Sequence, residues 1–475
     1  MRKAIGIAMM AGALAAQAAT PAFSPPPLAP AFTNHISAAA TAEMPQHLWW
    51  RSFNDPVLNQ LIELALDQNI DLKIAQARIE AAEALRRAAK ANGRPELDLA
   101  LAGGRERLSG YTLGFPKPST ESQFSSALEV SWEIDLFGRI RNDVRAAGAE
   151  ASAASDDARA ARIAVLLRVT RAYLTIRGLE RSLDIAQSNQ RAQEQTALYT
   201  RRLVSAGALP VGDQYRADAQ AATTAAATPL LELKREERVE ELAALLAITP
   251  QATHAALNPG PVAAPDLAPL PGTGVPADLM RLRPDVRAAE SRVRAAMNRV
   301  GVAEADLKPR FELSGLIGTL VDSFSGPSFS RSINWLAAAS GAAPLIDGGR
   351  RRSVVAERQA EAKAAVLTYQ YAVLTAVREV ETSLASISRD RERTASLALA
   401  ASDATKAADQ IRQAWTAGES PILDVLEADR ARFAAEAALA DSQASERLDR
   451  ATLFAALGGS EAPTNEELGA TISSK

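Results

Sequence analysis

The sequence predicts an α+β membrane protein. It is a trimeric transmembrane β-barrel with about four strands per chain, continuous with a long α-helical barrel and built from a duplicated half-repeat. Three observations predict it. Between Ser125 and Arg139, Leu128, Val130, Trp132, Ile134 and Leu136 alternate with Glu129, Ser131, Glu133 and Asp135, so a strand there has one apolar and one acidic face. After Gly138 the alternation gives way to a helical stretch that does not break until about Gly207. At ~1.5 Å per residue it would be about 100 Å long, whereas ordinary helices run about 8 to 20 residues. The same landmarks then recur: Asp347 lies 212 residues after Asp135, and Gly418 lies 211 after Gly207.

The totals narrow the function. The 475 residues are 47% hydrophobic and carry a net charge of -3, which gives no electrostatic footprint for nucleic acid. Cysteine is absent, which excludes disulfides, thiolate metal sites, thiol nucleophiles and a lipid-modified N-terminal cysteine. His35, His47 and His254 are far apart, so neither a metal site nor a histidine triad is expected. There is no G-x-S-x-G, phosphate-binding glycine loop or zinc spacing, and the chain reads as a non-enzyme with no catalytic residue, metal or cofactor.

Taken in order, residues 1–18 read as a signal peptide: basic Met1-Arg2-Lys3, an apolar run, then Ala16-Gln17-Ala18. That run is too short to span a bilayer, and no other segment offers 18 uninterrupted apolar residues. A membrane form must therefore be a closed barrel. Residues 19–48, with Pro25-Pro26-Pro27, read as extended and poorly packed. The first repeat covers 49–248. It has short helices, the first capped by Asp55, strands at 96–107 and 124–136, a long helix at 139–206 and a helix at 213–246. Gly207 and Pro210 separate the last two. A Pro-rich linker occupies 249–277.

The second repeat, 278–457, has a helix at 284–305, strands at 310–321 and 332–345, a long helix at 350–417 and a last helix at 422–457. Gly418 and Pro421 break the last pair, and 458–475 form a tail. Val373, Val377, Val380, Leu384 and Ile387 step by four and three, the pattern of helices packed along their length. Gly138 and Gly348-Gly349 mark strand-to-helix turns, with Asp347 as an N-cap. Arg350, Arg351 and Arg352 fit either a lipid-phosphate contact or a solvated first turn.

Four strands cannot close a barrel, and lipid does not tolerate open edges, so several chains must join; three would supply about twelve strands. Glu129, Glu133 and Asp135, with Glu96, Asp98 and Glu312, would then line a wet lumen. A water-soluble sandwich is the alternative, and it leaves the long helices unexplained.

At this point Trp50-x-x-Phe53-x-Asp55-Pro56-x-Leu58, Asp135-Leu136-Phe137-Gly138-Arg139, Leu282-Arg283-Pro284-Asp285-Val286 and Gly418 through Asp429 resemble the TolC-like outer-membrane efflux channels. Within them the similarity is to the NodT-type branch serving resistance-nodulation-division pumps, from about Trp49 to Leu457. The resemblance implies a homotrimeric outer-membrane conduit with its helical part in the periplasm. It would pass drugs or other toxic small molecules from an inner-membrane pump through a periplasmic adaptor protein. It also implies that Gly207, Ala208, Leu209, Pro210 and Val211, with Gly418, Glu419, Ser420, Pro421 and Ile422, are the adaptor-contacting tips. Leu423, Asp424, Glu427 and Arg430 become a periplasmic gate, with Asp213 and Arg216 as the counterpart pair.

Glu427 and Arg430 are three apart on one helix face and would pair within or between chains. Asp424 and Glu427 also fit a plain helix start, where acids are favoured. NodT-type members often carry a lipid on an N-terminal cysteine, which this chain lacks. The exit duct of a type I protein-secretion system and a soluble periplasmic coiled-coil spacer remain as other readings.

Overall fold

In the computed structural model, residues 25–34, 46–108, 119–257, 270–322 and 330–459 are described. The expected signal peptide falls outside them, as does the tail beyond Gly459. Two compact units emerge, each assembled from both halves of the sequence.

The first unit holds Asn92–Ala146 and Val293–Val366. Its centre is one antiparallel sheet of four strands in sequence order: β1 (Glu96–Leu108), β2 (Ser119–Ile134), β3 (Arg310–Asp322) and β4 (Ser330–Ala342). The register sets Leu128 beside Leu99 and Ile317, Val130 beside Leu97, and Ile317 beside Trp335. Because side chains alternate across a strand, one apolar face runs over all four. That face is bare: Leu97 is 64% exposed, Ile317 57% and Trp335 76%. The reverse face carries Glu96, Asp98, Glu129, Glu133 and Glu312, with Asp98 opposite Glu129 and Glu133 opposite Glu312. β1 and β4 each pair on one side, leaving two edges. β4 stops at Ala342 rather than 345, since Pro344 has no N–H to give a ladder.

The second unit holds Pro27–Ala91, Ala147–Arg292 and Leu367 onward. Helix α1 (Pro56–Gln68) is capped by Asp55, whose Oδ1 accepts the Val57 and Leu58 N–H groups at 2.8 and 3.1 Å. Its other oxygen takes the Tyr173 hydroxyl at 2.5 Å. Next come α2 (Ile70–Ala91), α3 (Arg139–Ser205), α4 (Val211–Ala225), α5 (Ala227–Leu246) and α6 (Pro250–Leu257). Then follow a one-turn α7 (Leu279–Leu282), α8 (Pro284–Ala305), α9 (Arg350–Thr416) and α10 (Ile422–Ala456). α3 and α9 each have 67 residues. No helix among the described residues is long and apolar enough to cross a membrane.

The core gathers Trp49, Phe53, Leu58, Leu61 and Ile62 from the start of the chain against Leu166 and Tyr173 of α3, Leu242 and Leu246 of α5, and Phe454 of α10. Trp49 stacks on Phe454 with centroids 5.6 Å apart. On α9, Val373, Val380, Leu384 and Ile387 are buried, and Val377 is half-buried. Arg283, 8% exposed, clamps three segments. It reaches Asp285 through two bonds of 3.0 and 2.7 Å, Glu379 of α9 at 2.7 Å and the Ala456 carbonyl at 3.1 Å.

Three expectations need correction. The helix expected at 213–246 is two helices parted at Ala226, because Pro229 removes an N–H and crowds the carbonyl four residues back. The linker at 249–277 contains α6, for which Pro250 serves as the first residue, where its missing N–H costs nothing. The segment read as poorly packed buries Phe32 to 2% exposure. Beside it the Glu381 carboxylate of α9 accepts the Thr33 and Asn34 backbone N–H groups at 2.5 and 3.1 Å and the Asn34 side-chain amide at 3.0 Å.

Candidate functional site

The strand-to-helix turns come first. Gly138, Gly348 and Gly349 have φ of +80°, +65° and +88°, a backbone that side chains oppose. Aspartate closes each turn. Asp135 accepts the Arg141 N–H at 2.8 Å and its Nε at 3.2 Å, while Asp347 accepts from the Gly349 and Arg351 N–H groups at 3.1 and 3.2 Å. Burial pushes the Asp347 carboxyl up, but these donors and the Arg351 guanidinium outweigh it and hold it below the usual range. Arg351 is thus an intrachain partner, bonded to Asp347 at 3.1 Å.

The acids expected in the lumen divide. Glu129 is exposed on the polar sheet face. Glu133 shares that face but is held by Arg139 through bonds of 2.8 and 2.7 Å. Asp135 lies past the end of β2 and serves the turn rather than the strand.

The second cluster surrounds the two helix-helix turns. Both helices end in the same way. The Gly207 N–H bonds to the Val204 carbonyl at 3.0 Å and the Ala208 N–H to Leu203 at 2.8 Å; Gly418 bonds to Trp415 and Glu419 to Ala414 at the same distances. With φ of +72° and +80°, Gly207 and Gly418 are the left-handed residues this helix ending requires. Ala208, Pro210, Val211, Glu419 and Pro421 are exposed, and Leu209 and Ser420 are half-buried. Ile422 is not available as a tip: it is 3% exposed and packs with Val425, Leu426, Ile411 and Trp415.

Helix α10 then sorts its residues by face. Leu423 (45% exposed), Asp424, Glu427 and Arg430 are on the open face, whereas Ile422, Val425, Leu426, Asp429 and Phe433 are buried. Asp424 is in the first turn behind Pro421 and accepts the Ser420 hydroxyl at 2.9 Å. Asp213 and Arg216 pair at 3.2 Å on α4. The expected pairing of Glu427 with Arg430 does not form within the chain, because Arg430 donates instead to Gln220 of α4 at 3.0 Å.

Asp429 was not expected at a site. It is fully buried, ion-paired with Arg412 of α9, and its Oδ2 lies 3.5 Å from Gln193 Nε2 of α3. The available signal was a carboxylate occupying an apolar position in the Ile422, Val425, Leu426, Asp429, Phe433 series.

Comparison with known proteins supplies a context for this geometry. A family model described as "outer membrane efflux protein" matches residues 61–247 and 275–459. "Nodulation protein T" of Rhizobium leguminosarum bv. viciae is 32% identical over 423 residues, 87% of this chain and 85% of that protein. "Outer membrane protein OprJ" of Pseudomonas aeruginosa is 31% identical over 414 residues, 86% of each chain. Among solved structures, the outer-membrane channel OprN aligns with a TM-score of 0.80 at 30% identity, over 91% of this chain and 99% of that one.

Proposed function

We propose, from the premise that this chain belongs to the outer membrane efflux protein family, that three copies close their sheets into one barrel of about twelve strands. The chain is an outer-membrane efflux channel. The observation that carries the trimer is the four-stranded sheet itself, bare on its apolar face and unpaired at β1 and β4. In lipid such a face is satisfied, but such edges are not, and joining β4 of one copy to β1 of the next removes them without new structure. The polar face, with Glu129, Asp98 and Glu312, then lines the wet lumen.

The helical parts form the periplasmic tunnel of a tripartite system. Gly207 to Val211 and Gly418 to Pro421 meet a periplasmic adaptor, and an inner-membrane resistance-nodulation-division pump supplies small toxic molecules. Leu423, Asp424, Glu427 and Arg430, with Asp213 and Arg216, form the gate of the tunnel. Exposed pairs of this type contribute about 0.2 to 1 kcal/mol each, which suits contacts that must come apart.

Two measurements test this reading. The protein should stay in the membrane through a carbonate wash and leave it only with detergent; release by carbonate ends the barrel proposal. In planar bilayers, Glu427→Ala and Arg430→Ala should raise conductance, and no change in either removes the gate.

A further inference from the structure

The bare face of the sheet is not apolar to its end. Along β1 the alternating residues of that face are Leu97, Leu99, Leu101, Gly103, Arg105 and Arg107. Both arginines are exposed, and neither has an ion-pair or hydrogen-bond partner among the described residues. The register sets them beside Ser122 and Thr120 of β2, which carry hydroxyls and no carboxylate. Their Cα atoms stand roughly 7 Å apart on one side of one strand, so the two cations repel. β4 brings a third arginine, Arg331, to the same end, opposite Val321. The other end of the face is built differently. Trp132, Ile134, Phe311 and Leu313 occupy it, and the charged Glu96, Glu133, Arg310 and Glu312 all belong to the polar face. The strands join the helices at that end, so with the helices in the periplasm Arg105 and Arg107 stand at the outer one. From Leu97 to Arg105 is about 26 Å along the strand, or roughly 20 Å of height at a tilt of ~40°, close to the upper border of an apolar band ~25 Å tall. Cations held there without a counter-ion call for an anion from the lipid itself.

We propose that Arg105 and Arg107 bind the phosphate groups of an outer-leaflet glycolipid, the bisphosphorylated disaccharide of lipid A. A guanidinium fork matches phosphate through two parallel hydrogen bonds, and the Thr120 hydroxyl beside Arg107 adds a donor. Lipid A carries two phosphates on one stiff headgroup, which suits two cations fixed two residues apart, whereas a glycerophospholipid offers only one. The inference rests on the barrel reading above and gives its outward face a specific ligand.

The test titrates the purified channel in detergent with lipid A, with lipid A stripped of both phosphates and with phosphatidylglycerol, and follows bound lipid by native mass spectrometry. Wild-type protein should bind intact lipid A at least tenfold more tightly than either of the others. Arg105→Gln combined with Arg107→Gln should abolish that preference, while Arg87→Gln, at an exposed position on α2, should keep it. Equal binding of the stripped lipid, or of phosphatidylglycerol, by the wild type overturns the proposal. So does a glutamine pair that binds lipid A as the wild type does. If the glutamine pair fails to insert, Arg105→Lys with Arg107→Lys keeps the charge and loses the fork. It should bind lipid A about threefold more weakly, and wild-type binding by that variant overturns the proposal. A carbonate wash of the membranes separates the two readings. Retention with lipid A binding unaffected in the variants overturns the lipid site alone, whereas release overturns the barrel and the lipid site with it.

Discussion

The sheet and the helical unit use the same apolar residue types in opposite ways. In the helices Val373, Val380, Leu384 and Ile387 are turned inward and buried, and Trp49, Phe53 and Phe454 belong to a core out of water. In the sheet Leu97, Ile317 and Trp335 are turned outward, and the strands are joined by backbone hydrogen bonds with no core of their own. The helical unit therefore carries its own hydrophobic stabilisation, while the sheet must obtain it from its surroundings. A substitution should register in whichever medium a residue relies on.

The sharpest break in that comparison is Arg283→Ala. It leaves Glu379, Asp285 and the Ala456 carbonyl without their shared donor and should cost the helical unit about 2 to 4 kcal/mol, softened because both carboxylates stay partly solvated, and read as a lower urea midpoint of helical circular dichroism. Insertion of the sheet should be little affected. Conversely, Ile317→Arg on the apolar face should cost about 2 to 4 kcal/mol and prevent stable insertion. Ser314→Arg, on the other face of the same strand, should insert normally, and folding into vesicles followed by gel mobility reads both.

A smaller effect concerns acidity. Burial, with repulsion from Asp390 and a hydrogen bond shared with it, raises the Asp449 carboxyl to about 6 against the pull of Arg171. A carboxyl raised in the folded state is held best while protonated, so this contribution is lost as pH climbs from about 4 through about 6. Asp449→Asn should raise Tm by ~2 °C at pH 7.5 and have little effect at pH 4.5. The smallest effect is at the segment that carries Phe32. Burial pushes Glu381 up, but the Thr33 and Asn34 donors outweigh it and hold it below its usual range, so the contact is present at neutral pH and lost as acid protonates it. Glu381→Gln should speed protease cleavage before Trp49 a few-fold at pH 7 while leaving the melting curve nearly unchanged.

What could be read from the sequence follows the same division. Period-two alternation located the strands because one face is consistently apolar, and the long helices declared themselves by length and by the glycines that end them. Proline misled in both directions. Pro229 breaks a helix inside an Ala-rich run that otherwise reads as continuous, and Pro250 starts one where the prolines around it read as linker. The resemblance makes Ile422 part of a tip, but the helix phase directs it into the Trp415 cluster. The spacing of Glu427 and Arg430 suggests a pair within or between chains, whereas the acceptor of Arg430 within the chain is Gln220, 210 positions away. Asp429 follows the spacing of Ile422, Val425, Leu426 and Phe433, but only packing by α3 and α9 shows it as a buried acid.

The matched endings of α3 and α9 have one more consequence. Their carbonyls and amides repeat the same bonds at the same lengths, while the residues that follow differ: Ala208 and Leu209 in one, Glu419 and Ser420 in the other. In the proposed trimer, a docking protein that grips main-chain shape would meet two equal handles on every subunit. One that reads charge meets a single handle, and a threefold assembly would then offer it either six berths or three.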